Sequence, residues 1–145
     1  MIAYKVGEIA CTFLAGLYRA EQAIADRLTR IVNGRLPWAR IDPVKAVPWV
    51  ETRSGLKLAD SQRDAIRLAL MTKAVVITGG PGVGKTTIVH SILRILGAKG
   101  VKLLLCAPTG RAAKRITEAT GVEAKTIHRL LEVDPKAAGF KRRES

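Results

Sequence analysis

A glycine-rich segment ending in lysine and threonine is the part of the sequence best suited to chemistry. It reads AVVITGGPGVGKTT over residues 74–87. Gly79, then four residues, then Gly84-Lys85-Thr86 is the spacing of a phosphate-binding loop. Its glycines let consecutive backbone N–H groups turn inward around a phosphate chain. The sequence therefore predicts a site for a nucleoside triphosphate.

Two side chains of this segment have the chemistry for phosphoryl transfer. Lys85 can reach the β- and γ-phosphates, and the Thr86 hydroxyl can ligate Mg²⁺. We predict these two as the catalytic residues and Thr86 as the metal ligand. The predicted nucleotide-binding residues are Gln62, Gly80, Pro81, Gly82, Val83, Gly84, Lys85, Thr86 and Thr87.

The elements that position this loop are a strand before it and a helix after it. A β-branched run, 74–78, predicts the strand, and 85–96 predicts a helix whose positive N-terminal end faces the phosphates. A second apolar run, 101–107, predicts a parallel strand, so we expect a βαβ unit and an α/β fold. The right-handed crossover then brings residues 108–111 out beside the phosphate loop.

A further helix is predicted just before the first strand. Asp60 and Ser61 are expected to cap it, with Asp64 completing an approximate capping box. Gln62 then lies at its N-terminal end. That residue is either a tolerated first-turn side chain or an amide that offers both a donor and an acceptor to a purine edge.

Basic residues cluster on the helix predicted after residues 108–111. Arg111, Lys114 and Arg115 share one face with Glu118, while Ala112, Ile116 and Ala119 are expected to share another. The basic face could contact nucleic-acid phosphates, or it could be a solvated face with salt bridges. We expect Thr120-Gly121 to end this helix, and residues 126–131 to form a short capped helix.

The first third of the chain predicts a helical segment and a linker. Residues 8–33 show helical periodicity, whereas 35–55 hold three prolines and two tryptophans. We expect Trp38 and Trp49 to pack the linker onto the domain, although such rings can also stack on bases. The predicted organisation is 1–57 as helix and linker, 58–133 as the nucleotide-binding lobe, and 134–145 as a basic flexible tail.

Composition indicates the class of partner. The 145 residues carry a net charge of +13, and such an excess beside a phosphate-binding loop favours a polyanion, nucleic acid above all. The two cysteines, Cys11 and Cys106, lie in apolar settings without metal-ligand spacing, so we expect them to be small core residues in a reducing compartment. No apolar run is long enough to span a bilayer. We therefore expect a cytoplasmic protein without membrane contact.

Four segments together resemble the RecD-like (RecD/TraA) DNA helicases of superfamily one. They are LADSQRDAI, ITGGPGVGKTT, APTGRAAKR and TIHRLLEVDP. The resemblance implies a RecA-like P-loop NTPase lobe that uses ATP and Mg²⁺ to move 5′→3′ on single-stranded DNA, with Gln62 contacting adenine. The predicted DNA contacts are Pro108, Thr109, Gly110, Arg111, Lys114, Arg115, Thr126 and His128. His128 has no metal-ligand or nucleophile partner in the sequence, so a structural role is open as well.

The sequence departs from the family after this point. The family's motor continues into an Asp-Glu pair, the Walker B acids, and a second lobe. The acids that follow here, Glu132, Asp134 and Glu144, do not follow a predicted buried strand. We therefore expect an incomplete lobe that needs the remaining helicase lobes of a parent protein and is inactive alone. The alternative is a non-catalytic module that binds nucleotide or single-stranded DNA.

Overall fold

The computed structural model describes residues 1–134 and 139–141. Its helices are α1 (Ala15–Val32), α2 (Pro43–Ser54), α3 (Asp60–Met71), α4 (Lys85–Ala98), α5 (Gly110–Thr120) and α6 (Ile127–Leu131). Its strands are β1 (Ile2–Val6), β2 (Ile9–Phe13), β3 (Leu105–Ala107), β4 (Ala124–Thr126), β5 (Val133–Asp134) and β6 (Gly139–Phe140). The strands form three separate pairs, of which only β3 and β4 run parallel. The chain is thus α/β with a small parallel sheet.

The hydrophobic core lies between α2, α3 and α4. Its largest fully buried side chains are Val47, Val50, Ile66 and Leu70. Ile88, Ile95 and Leu96 of α4 join the same cluster. Because α2 supplies part of this cluster, residues 41–54 pack with the lobe that carries the phosphate-binding loop. The predicted division between residues 57 and 58 crosses this core.

The prediction of a linker without a long helix over 35–55 is wrong for its second half. Pro43 stands at the first position of α2, where its missing N–H costs nothing and its fixed φ suits a helix. Pro48 lies inside α2 and removes one internal hydrogen bond. Burial of Ala46, Val47 and Val50 offsets that loss.

The two tryptophans differ in their environments. Trp38 packs against the core and donates from Nε1 to the carbonyl oxygen of Leu70 at 3.4 Å. Trp49 keeps 38% of its surface exposed. The predicted packing role therefore holds for Trp38 more than for Trp49.

The parallel βαβ unit is formed by other strands than those predicted. It consists of β3, α5 and β4, with Leu105 opposite Ala124 and Ala107 opposite Thr126. Residues 74–78 form no strand, since no other described segment pairs with their backbone. Val76 is 88% exposed, whereas Ile77 packs on the core. The second predicted strand, 101–107, is reduced to the three residues of β3.

The N-terminus begins with a hairpin where the sequence predicted helix from residue 8. Val6 pairs with Ile9, so Gly7 and Glu8 form a two-residue turn. Gly7 has φ +61°, which favours glycine at such a turn. The helix itself starts at Ala15 and ends at Val32, one residue before the predicted end. Tyr18 of α1 packs its ring against Tyr4 and Phe13 of the hairpin.

The end of the described chain is a second, shorter hairpin. Val133 pairs with Phe140 and Asp134 with Gly139. Except for Val133, which ends the predicted lobe, this pairing lies in the segment 134–145 predicted as a flexible tail. Residues 135–138 and 142–145 lie outside the described residues. Among residues 1–134 and 139–141, no helix combines the length and apolarity needed to cross a membrane.

Candidate functional site

The phosphate-binding loop joins the core to the first turn of α4. Gly82 and Gly84 have φ +78° and +80°, in the left-handed region where a side chain is strained. Gly84 is the N-cap residue of α4, and the helix begins at Lys85 as predicted. The free N–H groups of this first turn therefore open onto the loop, where an anion would be stabilised.

The side chain of Lys85 folds back into the loop. Its Nζ donates to the carbonyl oxygen of Gly79 at 2.6 Å and also to that of Gly80. Gly79 was missing from the predicted binding residues, although it is the first glycine of the motif. The ammonium group thus lies over the concave side of the loop, within reach of a phosphate that enters there.

Gln62 connects α3 to the loop. Its Oε1 accepts from the backbone N–H of Ala59 at 3.0 Å, and its Nε2 donates to the carbonyl oxygen of Val83 at 3.3 Å. A Cβ placed on Gly84 would collide with that Nε2. Each polar atom of the amide makes one bond in this arrangement, so one N–H and one lone pair stay available for a purine edge.

The predicted capping of α3 is wrong in its details. The N-cap residue is Ala59, and Gln62 rather than Asp64 reaches back to its backbone N–H. Asp64 instead accepts from Arg67 at 3.0 Å, one turn further along the helix. The sequence signal that would have found this cap is the glutamine at the third helical position.

The two threonines of the loop have different environments. Thr86 is exposed, whereas Thr87 is half-buried and its carbonyl oxygen accepts from Ser91. An exposed hydroxyl at this place suits Mg²⁺, which takes few protein ligands and several phosphate and water oxygens. Thr86 is therefore the residue that would hold the ion, and the Lys85 ammonium is the group that would neutralise phosphate charge.

A cleft of about 680 Å³ adjoins the loop between α4, β3 and α5. Lys85 and Thr86 line one side of it, and Cys106 and Arg115 line another. Cys106 is exposed, which corrects its prediction as a core residue. The structure therefore brings Arg115, predicted as a DNA contact, to the same cleft as the phosphate-binding residues.

The two segments predicted to contact DNA follow neighbouring parallel strands. Because Ala107 lies opposite Thr126, the chain leaves β3 at Pro108 and β4 at Ile127 on the same edge. Thr109 and Thr126 are both N-cap residues, and their hydroxyl oxygens accept from backbone N–H groups of α5 and α6. Their first role is therefore to start these helices.

The basic face of α5 is exposed as predicted. Arg111, Lys114 and Arg115 are exposed, and Lys114 lies 3.8 Å from Glu118 in an exposed pair worth little. The opposite face differs from its prediction: Ala113 and Thr120 are buried, whereas Ala119 is exposed. Helix α5 ends at Thr120 with Gly121 at φ +70°, which confirms the predicted end.

His128 lies in the first turn of α6, at the same sheet edge. It is exposed, and its ring centroid lies 6.2 Å from that of Phe140. Within residues 1–134 and 139–141, no group of three or more histidine, cysteine, aspartate and glutamate residues could hold a metal ion. His128 thus follows β4 at the sheet edge from which residues 108–110 leave β3.

A salt bridge braces the start of α3 against α2. Arg63 lies 2.9 Å from Glu51, whose carboxylate also accepts from the N–H of Leu58. The hydrogen bond from Leu58 and then the one from Arg63 lower the pKa of Glu51 below its ordinary value. The same partner raises the pKa of Arg63. Glu51 thus holds Leu58 and Arg63, which lie on either side of Gln62 in the sequence.

Comparison with known proteins places these features in a family. Residues 62–145 match the model of a family described as AAA domain. The chain is 33% identical over 130 residues to the ATP-dependent RecD2 DNA helicase of Deinococcus radiodurans, covering 89% of this chain and 17% of that protein. It is 34% identical over 146 residues to the RecBCD enzyme subunit RecD of Mycolicibacterium smegmatis, covering 85% of this chain and 25% of that protein.

A shorter match links the chain to a phage protein. The ATP-dependent DNA helicase dda of Enterobacteria phage T4 is 32% identical over 84 residues, which cover 54% of this chain and 19% of that protein. The chain thus spans about a fifth of the length of these relatives, between 17% and 25%. On the family match and the agreement over most of its length, the chain belongs to the AAA domain family and, within it, to the RecD-like helicases.

Proposed function

We propose that the chain binds ATP with Mg²⁺ through the phosphate-binding loop and Gln62. The observation that carries this proposal is the Lys85 ammonium over the loop, at the N-terminus of α4. Gly80, Pro81, Gly82 and Val83 supply loop backbone, and Thr86 supplies the Mg²⁺ ligand with Thr87 beside it. Gln62 presents the free half of its amide to the adenine edge.

Single-stranded DNA is the proposed partner of the edge formed by the ends of β3 and β4. Pro108, Thr109 and Gly110 follow β3 there, while Thr126 ends β4 and His128 follows it. The exposed cations Arg111, Lys114 and Arg115 would then lie along the strand's phosphates. Because Arg115 also lines the cleft with Lys85, the nucleotide and the DNA would meet through α5.

The reaction that we propose for the parent protein is ATP hydrolysis coupled to 5′→3′ translocation on single-stranded DNA and to duplex unwinding, in DNA repair and recombination. Its support is the RecD-like membership and the share of the relatives that the chain spans. Hydrolysis needs carboxylates that hold Mg²⁺ and orient water, and translocation needs a second lobe. We propose that other parts of the parent supply both, and that this chain alone does not turn over ATP.

A complementation experiment tests this division of labour. The chain is mixed with a polypeptide that carries the remaining lobes of a RecD-like motor, and phosphate release from ATP is measured with and without single-stranded DNA. DNA-stimulated release is expected in the mixture and not with Lys85→Ala. No stimulation at concentrations where the two polypeptides form a complex would contradict the proposal.

A non-catalytic binding module is the second candidate. It is favoured by the acids Glu132, Asp134 and Glu144, none of which follows a predicted buried strand. The complementation experiment separates the two, because a pure binding module would hold ATP and DNA without accelerating hydrolysis in any mixture.

A further inference from the structure

A second cavity lies far from the phosphate-binding loop, where the end of α4 meets the beginning of α2. Its volume is about 370 Å³, and apolar side chains of Ile41, Ala46 and Ile95 line it. Helix α4 has 14 residues and so spans about 21 Å between the loop and this cavity. The cavity has the volume of a small-ligand site and is separate from the proposed nucleotide site.

An exposed aromatic ring forms part of the cavity wall. Trp49 lines it and keeps 38% of its surface exposed. The guanidinium carbon of Arg53 lies 5.9 Å from the centroid of this ring. Since Trp38 already packs on the core with its N–H bonded, Trp49 is the tryptophan that the fold leaves open to a ligand.

Positive charge surrounds this ring. Lys45 and Lys99 line the cavity, and Arg94 donates to the carbonyl oxygen of Arg53 at 3.0 Å, which places its cationic side chain beside the end of α2. Among the described residues, none of these four cations forms an ion pair. The one acid that lines the cavity, Asp42, accepts from the N–H of Val44 as the cap of α2.

We propose that this cavity binds one base of single-stranded nucleic acid, with Trp49 stacking on the base and Lys45 and Lys99 contacting the flanking phosphates. An open aromatic ring amid unpaired cations is how proteins bind single strands without reading their sequence. The choice of nucleic acid over another polyanion rests on the proposed function. The site itself does not depend on ATP or on the basic face of α5.

The fluorescence of Trp49 provides a direct test. The chain has two tryptophans, so Trp38→Phe leaves Trp49 as the sole reporter. A deoxythymidine oligonucleotide of about ten nucleotides, within the usual site size, should quench this fluorescence with saturation. Quenching should persist when Arg111, Lys114 and Arg115 are all alanine, because the two sites are separate.

A polyglutamate of equal charge is the control for the kind of polyanion and should quench far less. Equal quenching would mean that the cavity takes an acidic polypeptide and the assignment is wrong.

Affinity measurements keep the test valid if Trp38→Phe does not fold. Oligonucleotide anisotropy with Trp49→Ala should show binding weakened about 5- to 140-fold, the range expected for one stacked base. Lys45→Ala with Lys99→Ala should lower the slope of log affinity against log salt by about 1.4, because each contact to a single strand contributes about 0.7. Lys5→Ala, an exposed lysine of the hairpin, is the control and should change neither.

Two failures can be told apart. Oligonucleotide binding that is unaffected by Trp49→Ala but lost on neutralising α5 would overturn this inference and leave the proposed DNA contact standing. No measurable binding to any variant, including the wild type at low salt, would overturn both.

Discussion

Gln62 illustrates how one side chain serves both the fold and the site. Its oxygen holds the first turn of α3 through Ala59, and its N–H₂ group holds the loop through Val83. The residue that would contact adenine is therefore also the residue that positions the loop. A substitution of Gln62 that removes both hydrogen bonds therefore lowers stability and nucleotide binding together.

The Gln62→Glu variant separates the two hydrogen bonds of Gln62. Gln62→Glu keeps an oxygen for Ala59 but loses the donor to Val83 and to a purine. We expect the loss of the bond to Val83 to cost about 0.5–1.5 kcal/mol of stability, the usual net value of one hydrogen bond. We also expect weaker ATP binding and less discrimination between ATP and GTP. Gln62→Ala loses both bonds and should cost about 1–3 kcal/mol of stability, twice the usual net value of one hydrogen bond. Chemical denaturation and nucleotide titration measure the two effects, and unchanged ATP binding in Gln62→Glu would contradict the role.

Glu51 gives a prediction for the pH dependence of stability. Its pKa is lowered in the folded chain by the N–H of Leu58 and by Arg63. Its contribution is therefore present above the ordinary carboxyl value near 4.5 and is lost as the pH falls through the lower folded value. Denaturation from pH 7 to pH 3 should show a smaller loss of stability in Glu51→Gln than in wild type. An equal loss in both would contradict the stabilising role of the Glu51–Arg63 pair.

At the scale of the element, the phosphate-binding loop depends on glycines for two different reasons. Gly82 and Gly84 both have positive φ, but a Cβ on Gly82 meets nothing within 4 Å, whereas one on Gly84 collides with Gln62. Gly82→Ala is thus a control for backbone strain alone, which costs about 1–2 kcal/mol.

The matched pair of alanine variants follows from this difference. Gly84→Ala should destabilise the chain more than Gly82→Ala and should weaken ATP binding further, because it displaces the amide of Gln62 as well. Thermal unfolding and ATP titration measure the two quantities. Equal effects of the two variants would mean that Gln62 does not hold the loop in solution.

Helix α5 gives the second prediction at this scale. Replacing Arg111, Lys114 and Arg115 by alanine should lower the slope of log DNA affinity against log salt by about 2, since each phosphate contact to a single strand contributes about 0.7. Lys5, Arg19 and Arg30 are exposed cations of β1 and α1, so the same triple change there is the charge-matched control. An equal drop in both would indicate that only net charge matters.

At the scale of the whole molecule, features with local causes could be predicted from the sequence. The start of α4 and the end of α5 were correct because glycines with positive φ fix them. Strand pairing was not predicted correctly, because it depends on partners distant in sequence. An example is β4, a three-residue segment without an apolar run that pairs with β3. The run 74–78 has strand composition but no partner among the described residues.

Two other misses have physical reasons of their own. Gly7 and Glu8 between two apolar runs indicate the N-terminal hairpin. The helix prediction missed it because the helical periodicity of the following residues was extended back over β2. Helix α2 was rejected because of its prolines, although Pro43 is favourable at its position and burial of Val47 and Val50 supports the rest. The phosphate-binding loop needed no such long-range information, because its motif is contiguous, while the opening at Trp49 depends on how α2 meets α4.

The most direct measurement is ATP binding together with phosphate release by the purified chain, at low salt, with and without single-stranded DNA, for wild type and Lys85→Ala. The account predicts that the wild type binds ATP, that Lys85→Ala weakens binding strongly, and that neither releases phosphate. ATP binding unaffected by Lys85→Ala would contradict the assigned site. DNA-stimulated release by the wild type that Lys85→Ala abolishes would contradict the claim that hydrolysis needs other parts of the parent protein.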